Sequence, residues 1–231
     1  YLDAVSGASR SDKLVLKNVE AIEFSDKVVS LEIADRYINS LSKDNFDGGP
    51  GIDTVVYDKP LSSYVLTPGV NGMEVSSANY SEGADWLLSI ERLQFSDQGL
   101  AFDLDGHAGQ AAKTLSLVFG LDAVKVPAYV GICLDYLDNK QYTAVQLMHE
   151  ALAIRLGRDA VDPDKVVSFL YERLTGMVPI QSEKDKYVGW ITSGAYTADS
   201  LAVFASELAL NPVVAQLTGM ATTGIAFEMP S

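Results

Sequence analysis

The spacing of apolar and polar residues changes once along this chain. Up to about residue 102 apolar positions come in short alternating runs, such as Thr54-Val55-Val56-Tyr57 and Ser63-Tyr64-Val65-Leu66, punctuated by Pro60, Pro68, Gly69 and Asn71-Gly72. Alternation with a period of two marks strands with one buried face, and Asn-Gly between two such runs is a hairpin signal. From Gly106 onward Ala and Leu dominate and apolar residues recur every three to four positions. That period predicts helices over 108–119, 127–139, 143–156, 163–175, 182–193 and 197–209, with a shorter one at 212–219. Start signals agree: Asp162-Pro163 pairs an N-cap with a first-turn proline, Ser182-x-x-Asp185 is a capping-box variant, and Thr143 and Thr197 precede apolar-periodic runs. Residues Ile33 to Leu41 read as a short helix ahead of a glycine-rich loop. The fold class expected is α+β: a β-rich, partly β-roll-like domain over 1–102, then an all-α domain over 103–231, joined by a short junction with little relative motion.

Both halves carry internal repeats, the sequence signature of stacked or duplicated units. Asn18-Val19-Glu20-Ala21-Ile22-Glu23-Phe24-Ser25-Asp26 aligns on Ser89-Ile90-Glu91-Arg92-Leu93-Gln94-Phe95-Ser96-Asp97, 71 positions later, and each copy reads as a strand ended by a Ser-Asp turn. In the helical half, Phe119-Gly120, Tyr129-Val130-Gly131 and Tyr142-Thr143-Ala144 are echoed by Thr175-Gly176, Tyr187-Val188-Gly189 and Tyr196-Thr197-Ala198. The helical domain is therefore expected to be two related units in tandem.

Composition narrows the function. Seventeen Lys and Arg against 31 Asp and Glu give a net charge of −14, which disfavours nucleic acid and anionic membranes as partners. A single cysteine cannot form an internal disulfide or a zinc cluster. No apolar run approaches the roughly 18 residues of a membrane span, and the Tyr1-Leu2-Asp3-Ala4 start is neither an initiator Met nor a signal peptide, so the chain reads as part of a longer one.

The sharpest motif is Gly48-Gly49-Pro50-Gly51-Ile52-Asp53-Thr54-Val55-Val56, one complete G-G-x-G-x-D-x-U-x nonapeptide of calcium-binding parallel β-rolls. Glycines permit a tight turn that points carbonyls inward, Asp53 supplies a hard anionic oxygen, and Val55 starts a buried strand. Asp44 and Phe46 stand where the Asp and apolar position of a preceding unit would be, and Asp47 adds a carboxylate at the mouth. The candidate calcium (Ca2+) ligands are thus Asp44, Asp47, the Gly48, Gly49, Pro50 and Gly51 turn, and Asp53. The alternative is a glycine-rich turn without metal. A second acidic cluster, Asp103-Leu104-Asp105-Gly106, begins like an EF-hand loop but has Thr114 where the bidentate Glu belongs, so it reads either as a helix cap or as a further calcium site.

Together with the Glu-x-Ile/Leu-x-Phe-Ser-Asp strand, and with Leu170-Tyr171-x-x-Leu174-x-Gly176-x-x-Pro179 followed by Tyr187-Val188-x-Trp190, the nonapeptide resembles bacterial repeats-in-toxin, or haemolysin-type calcium-binding, proteins and their accompanying helical domain. The resemblance implies type I secretion, folding outside the cell where calcium is abundant, and a non-enzymatic structural or adhesion role, with a cell-surface protein or glycan as partner. A chain of this type is expected to be the accessory tail of a secreted hydrolase, or a peptide- or glycan-binding module, if it is not structural. It departs from the family in having one nonapeptide rather than a long array.

Enzyme motifs are incomplete. His149-Glu150 lacks a second His, since Ala153 stands four residues on, no G-x-S-x-G occurs, Cys133 lies in an apolar helix face, and no phosphate-cradling loop opens a helix. Tyr129, Tyr142, Tyr187, Trp190 and Tyr196 recur at matching places in the two helical units, either as a core seam or as the lining of a groove for peptide or glycan.

Overall fold

A computed structural model describes residues 21–23, 28–30, 34–40, 42–79 and 83–229. Three strands begin nine residues apart: β3 (Arg36–Ile38), β4 (Asn45–Asp47) and β5 (Thr54–Val56). β3 and β5 pair in parallel, Tyr37 opposite Val55, while β4 crosses to a second sheet. Each nine-residue unit is therefore half of a coil, and rungs in one sheet lie two units apart, which is the winding of a β-roll. Upstream, β1 (Ala21–Glu23) and β2 (Val28–Ser30) form an antiparallel pair. β9 (Arg92–Gln94) and β10 (Gly99–Ala101) form another in which every paired position is displaced by the same 71 residues, Ala21↔Ser30 becoming Arg92↔Ala101. The repeated strand is thus paired in the same register in both copies, while the Ser25-Asp26 turn of the first copy lies outside the described residues.

The roll continues from β5 to β9 in parallel, so one sheet runs β3, β5, β9, β10 and then β11 (Ile225–Phe227) from the far end of the chain. The facing sheet joins β4 in parallel to β8 (Ala84–Leu88), followed by β7 (Met73–Ser77) and β6 (Tyr64–Pro68). β6 and β7 make the hairpin expected around Asn71-Gly72, with Gly69 donating to the Gly72 carbonyl at 2.8 Å. Val55, Tyr57, Tyr64, Val75, Leu87, Leu93 and Phe95 fill the space between the sheets, the inward set of the two-residue alternation. The expected helix over 33–41 is corrected: residues 36–38 are β3, because Tyr37 packs on Phe46 at 5.2 Å and the Thr54 and Asn39 amides complete the ladder to Asp35 and Val56.

Helices follow from the junction: α1 (His107–Phe119), α2 (Pro127–Leu134), α3 (Ala144–Leu156), α4 (Pro163–Thr175), α5 (Gln181–Thr192), α6 (Ala198–Ser206) and α7 (Pro212–Met220). Thr143 and Thr197 form reciprocal capping boxes with Gln146 and Ser200, and Asp162 caps α4 ahead of Pro163. The expected capping box at Ser182 is corrected: α5 starts one residue earlier after Ile180, without a side-chain cap, and Asp185 instead accepts from Gln181 at 2.7 Å. The related units are visible in matching details. Tyr142 donates its amide to Tyr136 O and Tyr196 donates its to Trp190 O, the same bond 54 residues apart. α2 does not run on to residue 139 as a regular helix; Asp135–Asn139 widens into a π turn. The halves are stitched together, since Ala101, Ile225 and Phe227 belong to the same core as Ala111, Leu115, Val130 and Leu134. No described helix is long and apolar enough to cross a membrane.

Candidate functional site

The Gly48–Gly51 turn links β4 to β5. Gly49 and Gly51 have φ of 69° and 142°, which L side chains avoid. At Gly48 the constraint is the next rung: a Cβ there would overlap the Ser89 carbonyl and the Asp53 side chain. Asp53, fully buried, stands immediately before β5 and accepts the Asp35 amide at 2.6 Å. Its own amide donates to Glu91 Oε2 at 2.9 Å. Asp35, Asp53 and Glu91 each precede a strand of one sheet by one residue and so form a column in which the Asp53 and Glu91 carboxylates each hold the backbone of the rung before. The facing sheet repeats the device, with Asp85 accepting the Asp44 amide at 2.9 Å and the Tyr57 hydroxyl at 3.2 Å.

Asp44 and Asp53 therefore head different sheets. The carboxylate of Asp44 takes the Ser40 amide and hydroxyl, at 3.0 and 2.6 Å, and the acids stacked with Asp53 are Asp35 and Glu91. Asp47 lies at the exposed end of β4, its carboxylate accepting from Gly49 N at 3.3 Å. Among the described residues no three His, Cys, Asp or Glu side chains converge on a metal-sized point. An ion at this turn would draw most of its oxygens from backbone carbonyls, as glycine turns allow.

Burial raises the Glu91 pKa above its ordinary value, opposed by the Asp53 amide and reinforced by Asp103. A carboxyl raised in the folded state binds its proton more tightly there than in the unfolded chain. Its ionisation therefore costs stability as pH rises through the folded pKa. Glu91→Gln keeps an acceptor for the Asp53 amide and removes the charge. In chelator at pH 7 this variant should melt above the parent, and the gap should close as pH falls below the ordinary glutamate value of about 4.3. A gap independent of pH in a series of thermal melts would show that the effect is not ionisation.

At the junction, Asp103 accepts the Ala108 amide at 3.2 Å and its carbonyl receives Gly106 N, so it holds the start of α1, while Asp105 is exposed on the turn. Arg92, buried on β9, pairs with Asp103 and with Asp138 of the π turn at 3.1 Å, and His107 Nδ1 meets Asp138 Oδ1 at 2.6 Å. Of this hub only Asp103 was a candidate in the sequence, as part of the acidic cluster; Arg92 and Asp138 were not. Arg92 occupies a position of the repeated strand where the first copy has Ala21, and that change from a small apolar to a charged residue is its sequence signal.

His149, well exposed, pairs with Asp199 at 3.0 Å. Burial pushes the Cys133 thiol up to about 12. Tyr187 meets Trp190 edge-on at 5.1 Å and Trp190 stacks on Tyr196 at 5.7 Å, all against the second helical core; Tyr142 meets Tyr136 at 4.9 Å in the first, whereas Tyr129 is half exposed. The seam reading fits the stacked rings, and Tyr187 and Trp190 also border an apolar groove of about 320 Å³. No family model, curated protein or solved structure matches the chain.

Proposed function

We propose that this chain is a calcium-stabilised, non-catalytic structural or adhesion module of a large secreted bacterial protein of the repeats-in-toxin type. The observation that carries the reading is the nine-residue strand period at Arg36, Asn45 and Thr54, with a left-handed glycine turn between the second and third strands and an acid before each. In this reading Asp53, Asp47 and the carbonyls of Gly48 to Gly51 hold one ion, with Asp35 of the preceding rung beside them. The acid columns give the ion its purpose. Stacking carboxylates in a chain of net charge −14 opposes folding, and a hard divalent cation offsets that repulsion where calcium is abundant.

The expected affinity is on the order of 10⁻⁴ to 10⁻³ M, as in extracellular calcium modules. With a dissociation constant near 10⁻⁴ M, calcium at about 10 mM adds roughly 2.7 kcal/mol by linkage, a rise in melting temperature of about 5–10 °C. Magnesium, which demands a smaller octahedral cage, should do much less. Asp53→Asn should remove most of the calcium-dependent shift while keeping the bond to Asp35, and Asp44→Ala should leave it in place. The same melting temperature with calcium and with chelator would end the calcium part of this reading.

A further inference from the structure

A cleft of about 790 Å³ lies between the sheet and the first helical unit. One wall is the outward face of the roll, where Arg36, Thr54 and Gln94 stand on adjacent strands and Arg36 donates to Gln94 Oε1 at 2.7 Å. The other is the π turn, which brings Asp135, Asp138 and Asn139 to the cleft. Ile52, Leu134 and Met229 supply an apolar strip between them. Two backbone features set this wall apart: a π turn, which recurs at functional sites, and Gln141, a non-glycine residue held at φ 55°. Volume, convergent polar groups and an apolar strip together are the marks of a small-molecule site.

The charges select the ligand. The lining holds two cations, Arg36 and Arg92, against two carboxylates, Asp135 and Asp138; Arg92 and His107 pair with Asp138, and Asp135 is matched by Lys140 at 2.8 Å. A ligand with net charge would find no surplus of the opposite sign and would be desolvated without compensation. Hydroxyl groups, which both donate and accept, suit walls made of amides and already paired carboxylates, and the apolar strip suits the C–H face of a sugar ring. We propose that this cleft binds a neutral saccharide of two or three rings. The proposal rests on the adhesion half of the reading above and gives it a ligand; it requires no calcium at the glycine turn.

The test is titration calorimetry of the full chain in calcium with maltotriose, cellotriose and N-acetylchitotriose as neutral probes and 3′-sialyllactose as a charged one. At least one neutral trisaccharide should bind, with a dissociation constant on the order of 10⁻⁴ to 10⁻³ M. Asn139→Ala and Gln94→Ala should each weaken that binding about tenfold without moving the melting temperature, the loss expected for one ligand hydrogen bond. Phe204→Ala, in the separate apolar groove, should leave it unchanged. The proposal is overturned if no neutral probe binds at about 10 mM, if sialyllactose binds as well as the neutral sugars, or if Phe204→Ala weakens binding and the cleft variants do not. Because the calcium-dependent melting shift is read independently, loss of sugar binding with that shift intact condemns the cleft alone.

Discussion

Replacing Arg92 by methionine should lower stability by about 3–5 kcal/mol, a fall in melting temperature of roughly 6–20 °C. Arg92 is 3% exposed, and its partners Asp103 and Asp138 have side chains 8% and 21% exposed. Methionine replaces much of the apolar stem but leaves two carboxylates facing each other, with His107 beside only one of them. Removing one member of a buried ion cluster costs far more than the cluster itself contributes, because the remaining charges stay desolvated and unpaired. The loss should therefore be largely restored by adding Asp103→Asn and Asp138→Asn, which neutralise the stranded charges while the side-chain carbonyl introduced by Asp103→Asn can still accept the Ala108 amide. Arg92→Lys should fall between, since an ammonium cannot fork across two carboxylates and the Glu91 carbonyl as the guanidinium does. Denaturant titrations of the parent and these three variants decide it. A loss below about 1 kcal/mol in Arg92→Met, or no recovery in the triple variant, would mean that the hub does not hold the β and α halves together.

The helices were legible because their signals are local. Thr143, Asp162, Thr197, Pro127, Pro163 and Pro212 each mark a helix start within one or two residues, and the left-handed Gly176 ends α4. The strand at 36–38 was misread because three residues are too few to show a period. What makes Arg36–Ile38 a strand is its partner 18 residues on, with Tyr37 beside Val55, and the nine-residue frame set by the nonapeptide could have extended back to it. β11 was missed for the same reason. Ile225-Ala226-Phe227 alternates after the left-handed Gly224, but only its pairing with β10 distinguishes it from a loop.

At the candidate site the residue types were readable and their grouping was not. The glycine turn and Asp53 stand where the motif places them, yet the acid stacked beneath Asp53 is Asp35, two units back, rather than Asp44, one unit back. A coil of two sheets puts alternate units on opposite sides, a consequence of winding that no single nonapeptide displays. The hub and cleft depend on longer-range accidents of the same kind. Asp138 reaches Arg92 because α2 widens into a π turn, and helical periodicity does not announce where such a turn will fall.

The duplication in the helical half supplies its own control for a further large effect, because two glycines at matching positions meet different surroundings. Gly131 and Gly189 both follow Tyr-Val and both lie within helices, α2 and α5. Nothing lies within 4 Å of where a Cβ on Gly189 would be, whereas one on Gly131 would overlap the Glu228 carbonyl, just beyond β11. Gly189→Ala should therefore raise stability by up to about 1 kcal/mol, the helix-propensity difference. Gly131→Ala gains the same propensity but forces the new side chain against backbone, and no side-chain rotation relieves that. Either α2 or the end of β11 must move, straining the Glu228 N to Pro127 O bond of 2.9 Å and the packing of Phe227. A net loss of about 2–3 kcal/mol is expected, roughly 4–12 °C in melting temperature. Hydrogen exchange should locate the damage, with amides of residues 225–228 and their partners in β10 opening faster while β6 to β8 stay protected. If both alanines change stability in the same direction, or if exchange in β11 is unaltered in Gly131→Ala, then β11 does not fasten the helical half to the sheet.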